Sequence, residues 1–305
     1  MKYRTIGRAA AAALTAALGL SVAACGSNPI SNSGGGSGST VVVGSASFGE
    51  SEVLAEIYAG ALNARGIKAT TKLNIGQREA YIGALKDGTI SLFPEYSGNL
   101  LTYFQPTATA SSPSDVLAAL KTALPNTLEV LTPSTAEDKD SLNVTQANAT
   151  KYGLVTIGDL SKIKGLKLAA NPEFKTRSYG IPGLGSIYGI TGISFTPISD
   201  GGGPATLKAL VTGQVDVADI YSTTSSIVSS HLVTLQDPKH LIAAQNVIPL
   251  IRKDKDTAKI TEILNEVSAK LTTAGLLGLN AQFDGPSKPS PQVVAAQWLK
   301  ANGFS

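Results

Sequence analysis

The chain has 305 residues, of which 43% are hydrophobic and 15% are charged, so it is long enough for one large folded domain or two moderate ones. Its net charge of +3 comes from three basic residues near the N-terminus, and the 22 other basic residues balance the 22 acidic ones. Nucleic-acid binding requires clustered Lys and Arg, and because no such cluster is present we expect no nucleic-acid partner.

The N-terminal segment has the pattern of an export signal. Lys2, Arg4 and Arg8 precede an apolar run over residues 9–24, which ends in the small residues Val-Ala-Ala before Cys25. This order resembles a bacterial lipoprotein signal with its lipobox, and it predicts a signal peptide over residues 1–24 with lipidation at Cys25. The alternative is an ordinary signal peptide or a short membrane span, although a span needs about 20 apolar residues.

A tether is predicted after the signal. Cys25 is the only cysteine, so it has no disulfide partner. Residues 25–39 are rich in Gly, Ser and Asn, which bury little apolar surface and give a flexible chain. We therefore expect a folded part that starts near Thr40, lies outside the cytoplasm and is lipid-anchored to the outer face of the cell membrane.

Strand-like and helix-like segments alternate along the folded part, which predicts an α/β architecture with mainly parallel sheets. The first helix is expected to start with a capping box formed by Ser47 and Glu50 and to stop at Gly66. The loop-rich region 132–150 separates two βα sets and predicts two lobes. The predicted strands are 41–44, 70–75, 89–96, 166–170, 193–199, 215–221, 231–237 and 247–252, and the later helices are 78–86, 99–104, 205–211, 256–273 and 291–299.

Catalytic motifs are missing from the sequence after the signal. It has two histidines, His231 and His240, without an H-E-x-x-H pattern, and it has no nucleophile elbow or phosphate loop. The glycines at 201–203 could present backbone N–H groups to an anion, but they do not match a dinucleotide fingerprint. This pattern favours a binding module over an enzyme, with no cofactor and no metal.

Two tyrosines end predicted strands. Tyr96 follows FPE and Tyr221 follows VADI, and small polar residues come after each ring. The carboxyl ends of strands line the ligand crevice of parallel α/β sheets, and aromatic faces attract quaternary ammonium groups. Both tyrosines could equally be residues at the edge of the core with satisfied hydroxyls, and position alone does not decide.

Three stretches carry a family resemblance: GSASFGESEVLAEIYAGAL, IGQREAYIGALKDGTISLFPEYSGNLLTYF and GGGPATLKALVTGQVDVADIYSTTSSI. They resemble the glycine betaine, carnitine, choline and proline betaine binding proteins of osmoprotectant ABC importers (the ProX and OpuC type). The resemblance implies a two-lobed periplasmic-binding-protein fold of type II with the ligand cleft between the lobes. The first lobe would be discontinuous, with residues 40–139 and 240–305, and residues 140–239 would form the second.

The resemblance also implies a set of site residues. Tyr96 matches the family's cage tyrosine in PEY-x-G, and Arg177 aligns with an arginine that members use on the substrate carboxylate. The expected ligand-binding residues are Phe48, Ser51, Tyr96, Asn99, Asp140, Arg177, Tyr221, Ser222 and Thr223. Members with a full cage have further aromatic residues where this chain has Leu142 and Pro204 or Ala205, and Tyr103, Tyr179 and Tyr188 are candidates to replace them.

We therefore expect the substrate-binding component of an ABC importer. It would be a monomer that captures a quaternary-ammonium osmolyte, such as glycine betaine or choline, and delivers it to a membrane permease with its ATPase. One alternative keeps the fold and changes the ligand to an aromatic or polyol compound. Another is a secreted lipoprotein that acts as a sensor or an enzyme.

Overall fold

The computed structural model describes residues Thr40–Phe304. The predicted signal peptide, the tether and Cys25 lie outside the described residues. In the described part, no helix has the length and apolar character that a membrane crossing requires.

Ten strands and eleven α-helices are described in this part of the chain. The strands are β1 (Val41–Gly44), β2 (Ala69–Lys72), β3 (Leu92–Tyr96), β4 (Leu128–Val130), β5 (Leu142–Thr145), β6 (Lys167–Ala170), β7 (Ser194–Pro197), β8 (Val217–Asp219), β9 (Leu232–Thr234) and β10 (Val247–Arg252). The helices are α1 (Gly49–Ala64), α2 (Arg78–Asp87), α3 (Ser97–Phe104), α4 (Pro113–Ala123), α5 (Gln146–Tyr152), α6 (Ile181–Tyr188), α7 (Pro204–Val211), α8 (Ser226–Ser229), α9 (Ala258–Lys270), α10 (Thr273–Phe283) and α11 (Pro291–Ala301).

The strands form two separate five-stranded sheets. The first has the order β2-β1-β3-β10-β4 and the second the order β7-β6-β8-β5-β9. The second sheet uses only residues between 142 and 234, whereas the first receives its strand β10 after the second is complete. The chain therefore crosses from one sheet to the other twice, first through segment 131–141 and then back through segment 235–246. We call the two sheets with their helices the first and second lobes; the exact boundaries at 139/140 and 239/240 stay a prediction.

The prediction of mainly parallel sheets is wrong, because antiparallel and parallel pairings occur equally in the described sheets. β10 runs antiparallel to both β3 and β4, and β5 runs antiparallel to both β8 and β9. Each of these strands enters its sheet directly after the chain has crossed from the other lobe. The alternation of strands and helices along the sequence carries no information about the direction of such a crossing strand.

Several elements were not predicted from the sequence. β4 and β5 have three and four residues, which is too short for a clear alternation of side chains. Helix α6 carries Gly183 and Gly185, whose low helix propensity hides it inside the glycine-rich segment. Helices α4, α5 and α10 also lie outside the predicted elements.

The predicted capping box at the start of α1 is wrong. The N-cap is Phe48, which makes no side-chain cap hydrogen bond, and Glu50 is buried with 5% of its surface exposed. The Glu50 carboxylate instead accepts hydrogen bonds from residues far along the chain, and it is therefore part of the site described below.

Hydrophobic side chains pack on both faces of the first sheet. On one face α1 packs with α9, α10 and α11, through residues such as Leu54, Leu264 and Val294. On the other face α2, α3 and α4 bury Leu85, Leu100 and their neighbours. With both faces covered, the carboxyl end of β3 remains open toward the second lobe.

Candidate ligand-binding site

A cavity of about 50 Å³ lies where the carboxyl ends of β3, β6 and β8 face one another. The first lobe contributes Ala46, Phe48, Gln77, Arg78, Tyr81, Phe93, Tyr96 and Asn99; segment 131–141 contributes Asp138 and Asp140; and the second lobe contributes Asn171, Glu173, Phe174, Arg177, Tyr179, Asp219 and Tyr221. Both lobes therefore line one cavity.

Three aromatic rings from both lobes meet at this cavity. Phe48 lies between the two strand-end tyrosines: its ring centroid is 6.0 Å from that of Tyr96 and 5.3 Å from that of Tyr221. The Tyr96 hydroxyl donates to Glu50 at 2.7 Å, and the Tyr221 hydroxyl accepts from Asn171 at 3.0 Å. The hydroxyls are thus satisfied, while the rings line the cavity.

Further aromatic residues extend this lining. Tyr179, one of the candidates to complete the cage, lines the cavity together with Phe174, whose ring centroid is 6.2 Å away. Tyr103 lines a neighbouring cavity of about 200 Å³ that also contacts Tyr179. Tyr188 lines neither cavity, and its hydroxyl donates to Asp237.

Three buried carboxyl groups face the cavity. Asp138, Asp140 and Asp219 expose 7%, 8% and 2% of their surfaces. Burial raises the pKa of Asp219, and the nearby Asp140 raises it further. Burial likewise raises the pKa of Asp138, and Glu50 adds to the effect. A bound cation would offset the cost of ionising Asp138 and Asp219.

Sequence reasoning included Asp140 but missed Asp138 and Asp219. Asp219 is two residues before Tyr221, so strand alternation continued past β8 would have placed both side chains on one face. Asp138 lies in a segment without regular structure, and no local pattern indicates its position.

The two arginines at the cavity already have carboxylate partners. Arg78 forms a buried, two-pronged ion pair with Glu95, with N–O distances of 2.8 and 2.9 Å. Arg177 lines the cavity, contacts Glu79 of the first lobe at 3.1 Å and donates to the Tyr179 hydroxyl. The lining therefore offers uncompensated carboxyls more readily than free guanidinium groups.

Asn99 lies in the cavity lining and joins segments that are distant in sequence. Its side-chain amide donates to Asp140 at 2.6 Å and its carbonyl oxygen accepts from Gln245 at 2.6 Å. Asn99 thus fixes Asp140 at the edge of the site.

Three predicted site residues, Ser51, Ser222 and Thr223, do not line the cavity. The Ser51 hydroxyl accepts from the Ala46 N–H in the β1–α1 turn at 2.9 Å. Ser222 donates to Asp138 at 3.2 Å, and Thr223 donates to Glu50 at 2.7 Å. Ser51 and Ser222 thus support the lining residues Ala46 and Asp138, and Thr223 supports Glu50 behind the lining.

A second cavity of about 220 Å³ shares Phe48, Tyr221 and Asp138 with the first. The three-glycine loop borders it, but the Gly201 N–H donates to Asn171 and the Gly203 N–H donates to the Asp200 carbonyl. Four carboxylates line this cavity as well, namely Glu50, Asp138, Asp200 and Asp284. The loop is therefore poorly suited to an anion. Within residues 40–304, no group of three His, Cys, Asp or Glu side chains is placed to hold a metal ion.

The fold defines the class of protein. A solved structure titled as a glycine betaine/carnitine/choline ABC transporter superposes with a TM-score of 0.68 at 24% identity, and covers 87% of this chain and 99% of its own. The chain has the two-lobed periplasmic-binding-protein fold of type II, with the ligand cleft between the lobes.

The sequence comparisons give the family. Residues 39–301 match the family described as the substrate binding domain of ABC-type glycine betaine transport systems, and the chain belongs to this family. It is 28% identical to the glycine betaine-binding protein YehZ of Escherichia coli, over 88% of this chain and 92% of the relative. It is 24% identical to the carnitine transport binding protein OpuCC of Listeria monocytogenes, with 89% of each chain covered. These findings confirm the predicted family and its role as the substrate-binding component of an ABC importer.

Proposed function

We propose that this protein binds a small quaternary-ammonium osmolyte of the choline or glycine betaine type. One observation carries the proposal: tyrosines from opposite lobes, Tyr96 and Tyr221, meet beside Phe48 at a cavity that buried aspartates also line. Aromatic faces attract a methylated ammonium group, and nearby carboxyls offset its charge where water is excluded.

The arrangement favours a ligand that carries a net positive charge. Asp138, Asp140 and Asp219 place three carboxyl groups at the cavity, and a cationic ligand would favour the ionised forms of Asp138 and Asp219, whereas the guanidinium of Arg78 is already paired with Glu95. The carboxylate of a zwitterion would compete with Glu79 for Arg177. We therefore expect choline to bind more tightly than glycine betaine.

The rest of the proposal concerns delivery. The protein acts as a monomer without chemical turnover, anchored through lipid on Cys25, and passes its ligand to a permease driven by an ATPase. Family membership supports the transport partners. The lipobox pattern supports the anchor.

Isothermal titration calorimetry tests the ligand. We expect saturable binding of choline, weaker binding of glycine betaine, and none of phenol or glycerol, which represent aromatic and polyol ligands. Binding of phenol or glycerol but not of either quaternary ammonium compound would replace the proposed ligand class.

The aromatic contact is tested at Tyr221, whose ring can be changed without breaking the hydrogen bond of Tyr96. Tyr221→Ala should weaken choline binding about 5- to 30-fold, because a desolvated cation–π contact contributes about 1 to 2 kcal/mol. Tyr221→Phe keeps the ring and is the matched control, with an expected change below about threefold. Equal affinities of the Ala and Phe variants would exclude the ring as a contact.

A further inference from the structure

Glu50 joins three elements through its carboxylate. The side chain lies in the first turn of α1 and is buried, and it accepts hydrogen bonds from the Tyr96 hydroxyl at 2.7 Å, the Thr223 hydroxyl at 2.7 Å and the Asn280 amide at 2.6 Å. Tyr96 ends β3 and Asn280 lies in α10, both in the first lobe. Thr223 follows β8 in the second lobe. The carboxylate therefore connects a cavity ring in one lobe to the Thr223 side chain of the other.

Thr223 is one of the points where the second lobe is held against the first. Besides its bond to Glu50, its carbonyl oxygen accepts from Asn280 at 3.1 Å, and its N–H donates to Asp138 at 3.0 Å. Thr223 exposes only 1% of its surface. These partners lie in the first lobe or in segment 131–141, so this contact between the lobes is concentrated on one residue.

The chemistry of the contact suits a reversible joint. In its ionised form the Glu50 carboxylate is an acceptor only, and bonds from hydroxyl and amide donors to a charged oxygen are stronger than bonds between neutral groups. Separation of the lobes would remove Thr223 from Glu50 and expose the carboxylate to water. Closure would restore the bond and fix the Tyr96 hydroxyl at the same acceptor.

We propose that Glu50 is a positioning residue that couples the orientation of the Tyr96 ring to closure of the two lobes through Thr223. The inference rests on the proposed function in that the cavity must take a ligand. Glu50 itself does not line the first cavity, so it acts through Tyr96 and Thr223 rather than by contact there.

A double-mutant cycle separates coupling from independent contributions. Tyr96→Phe and Thr223→Val each remove one hydroxyl donor and keep the size of the side chain. We expect each to weaken choline binding about tenfold, which is the typical effect of losing one bond to a charged group. If the two bonds act as one joint, the double variant also loses about tenfold; independent bonds would give about a hundredfold, which would overturn the proposal.

Thr234→Val is the matched control. The Thr234 hydroxyl donates to Asn143 within the second lobe, so its loss should leave choline affinity and lobe closure unchanged. An effect of Thr234→Val equal to that of Thr223→Val would reduce the result to a general loss of stability and overturn the proposal.

Small-angle X-ray scattering gives a readout that does not depend on the ligand. Without ligand, Thr223→Val should have a larger radius of gyration than the wild type, because the open form gains population, and Thr234→Val should not. If the wild type binds no quaternary ammonium compound, the proposed function fails while this measurement still tests the joint. An unchanged radius of gyration in Thr223→Val overturns the joint itself.

Discussion

Two tyrosines in the core of the first lobe differ in whether their hydroxyls have a partner. Tyr58 in α1 is fully buried, and its hydroxyl has no hydrogen-bond partner among the described residues. Tyr81 in α2 is also buried, but its hydroxyl donates to Glu95 at 2.8 Å. A buried hydroxyl without a partner loses its bonds to water and gains nothing in return.

Tyr58→Phe should therefore raise the stability of the protein, by about 1 kcal/mol or somewhat more. The matched variant Tyr81→Phe should lower it, because Glu95 would lose a donor inside its ion pair with Arg78. Urea unfolding followed by circular dichroism measures both changes. A loss of stability in Tyr58→Phe would show that the hydroxyl has a partner.

Single residues could be assigned to the site where a short sequence motif marks them. Tyr96 and Tyr221 were assigned through the family resemblance, because their strand-end positions alone left a role at the edge of the core open, and both line the cavity. Glu50 was misassigned because the S-x-x-E pattern is local, whereas its partners Thr223 and Asn280 lie 173 and 230 positions away. No periodicity connects residues at such distances.

At the scale of elements, the three-glycine loop before α7 is a close contact between the lobes. A Cβ atom added to Gly201 would lie 2.9 Å from the Cβ of Phe48 and 3.6 Å from the Tyr221 ring. Gly201 also has a φ of +66°, which favours glycine. The absence of a side chain therefore lets the second lobe approach Phe48.

Gly201→Ala should hold the lobes apart and weaken choline binding about tenfold or more. Gly165→Ala is the control that matches the backbone conformation. Gly165 has the same φ of +66°, but no atom lies within 4 Å of the added Cβ. Both variants carry the backbone strain, and only Gly201→Ala carries the clash. Calorimetry with choline compares the two variants. Equal affinities would mean that the clash at residue 201 does not weaken binding.

Elements were predictable where they are long or strongly patterned. Helix α9 and strand β10 fall within predicted segments, because the apolar residues of α9 repeat at helical spacing and β10 is a short continuous apolar run. The direction of β10 and the existence of β5 were not predictable. Both depend on how the chain crosses between the lobes, which is a property of tertiary packing.

For the molecule as a whole, buried carboxyls determine how stability depends on pH. Burial raises the pKa of Glu50, Asp138 and Asp219, so the folded protein keeps protons that the unfolded chain releases above about pH 4. Stability without ligand should consequently fall as pH rises from about 4 through the raised pKa values.

Asp219→Asn tests this dependence. The variant keeps an acceptor for the Ser141 N–H but has no ionisable group, so its melting temperature relative to the wild type should increase with pH. Asp254→Asn is the control, because Arg252 lowers the pKa of Asp254 and the contribution of its charge to stability is lost only as pH falls below about 4. Thermal unfolding at about pH 5 to 8 compares the two variants, and the melting temperature of Asp254→Asn relative to the wild type should stay nearly constant over this range. Parallel curves for Asp219→Asn and the wild type would contradict the expectation.

The position of β10 has a consequence for the order of assembly. This strand fills the gap between β3 and β4, yet it emerges from the ribosome and from any export channel only after the whole second sheet. Until then β3 has an unpaired edge, which is a template for wrong association. The part of the molecule that is made first must therefore be finished last, and slow synthesis around residues 235–252 would lengthen the time during which that edge needs protection by a chaperone.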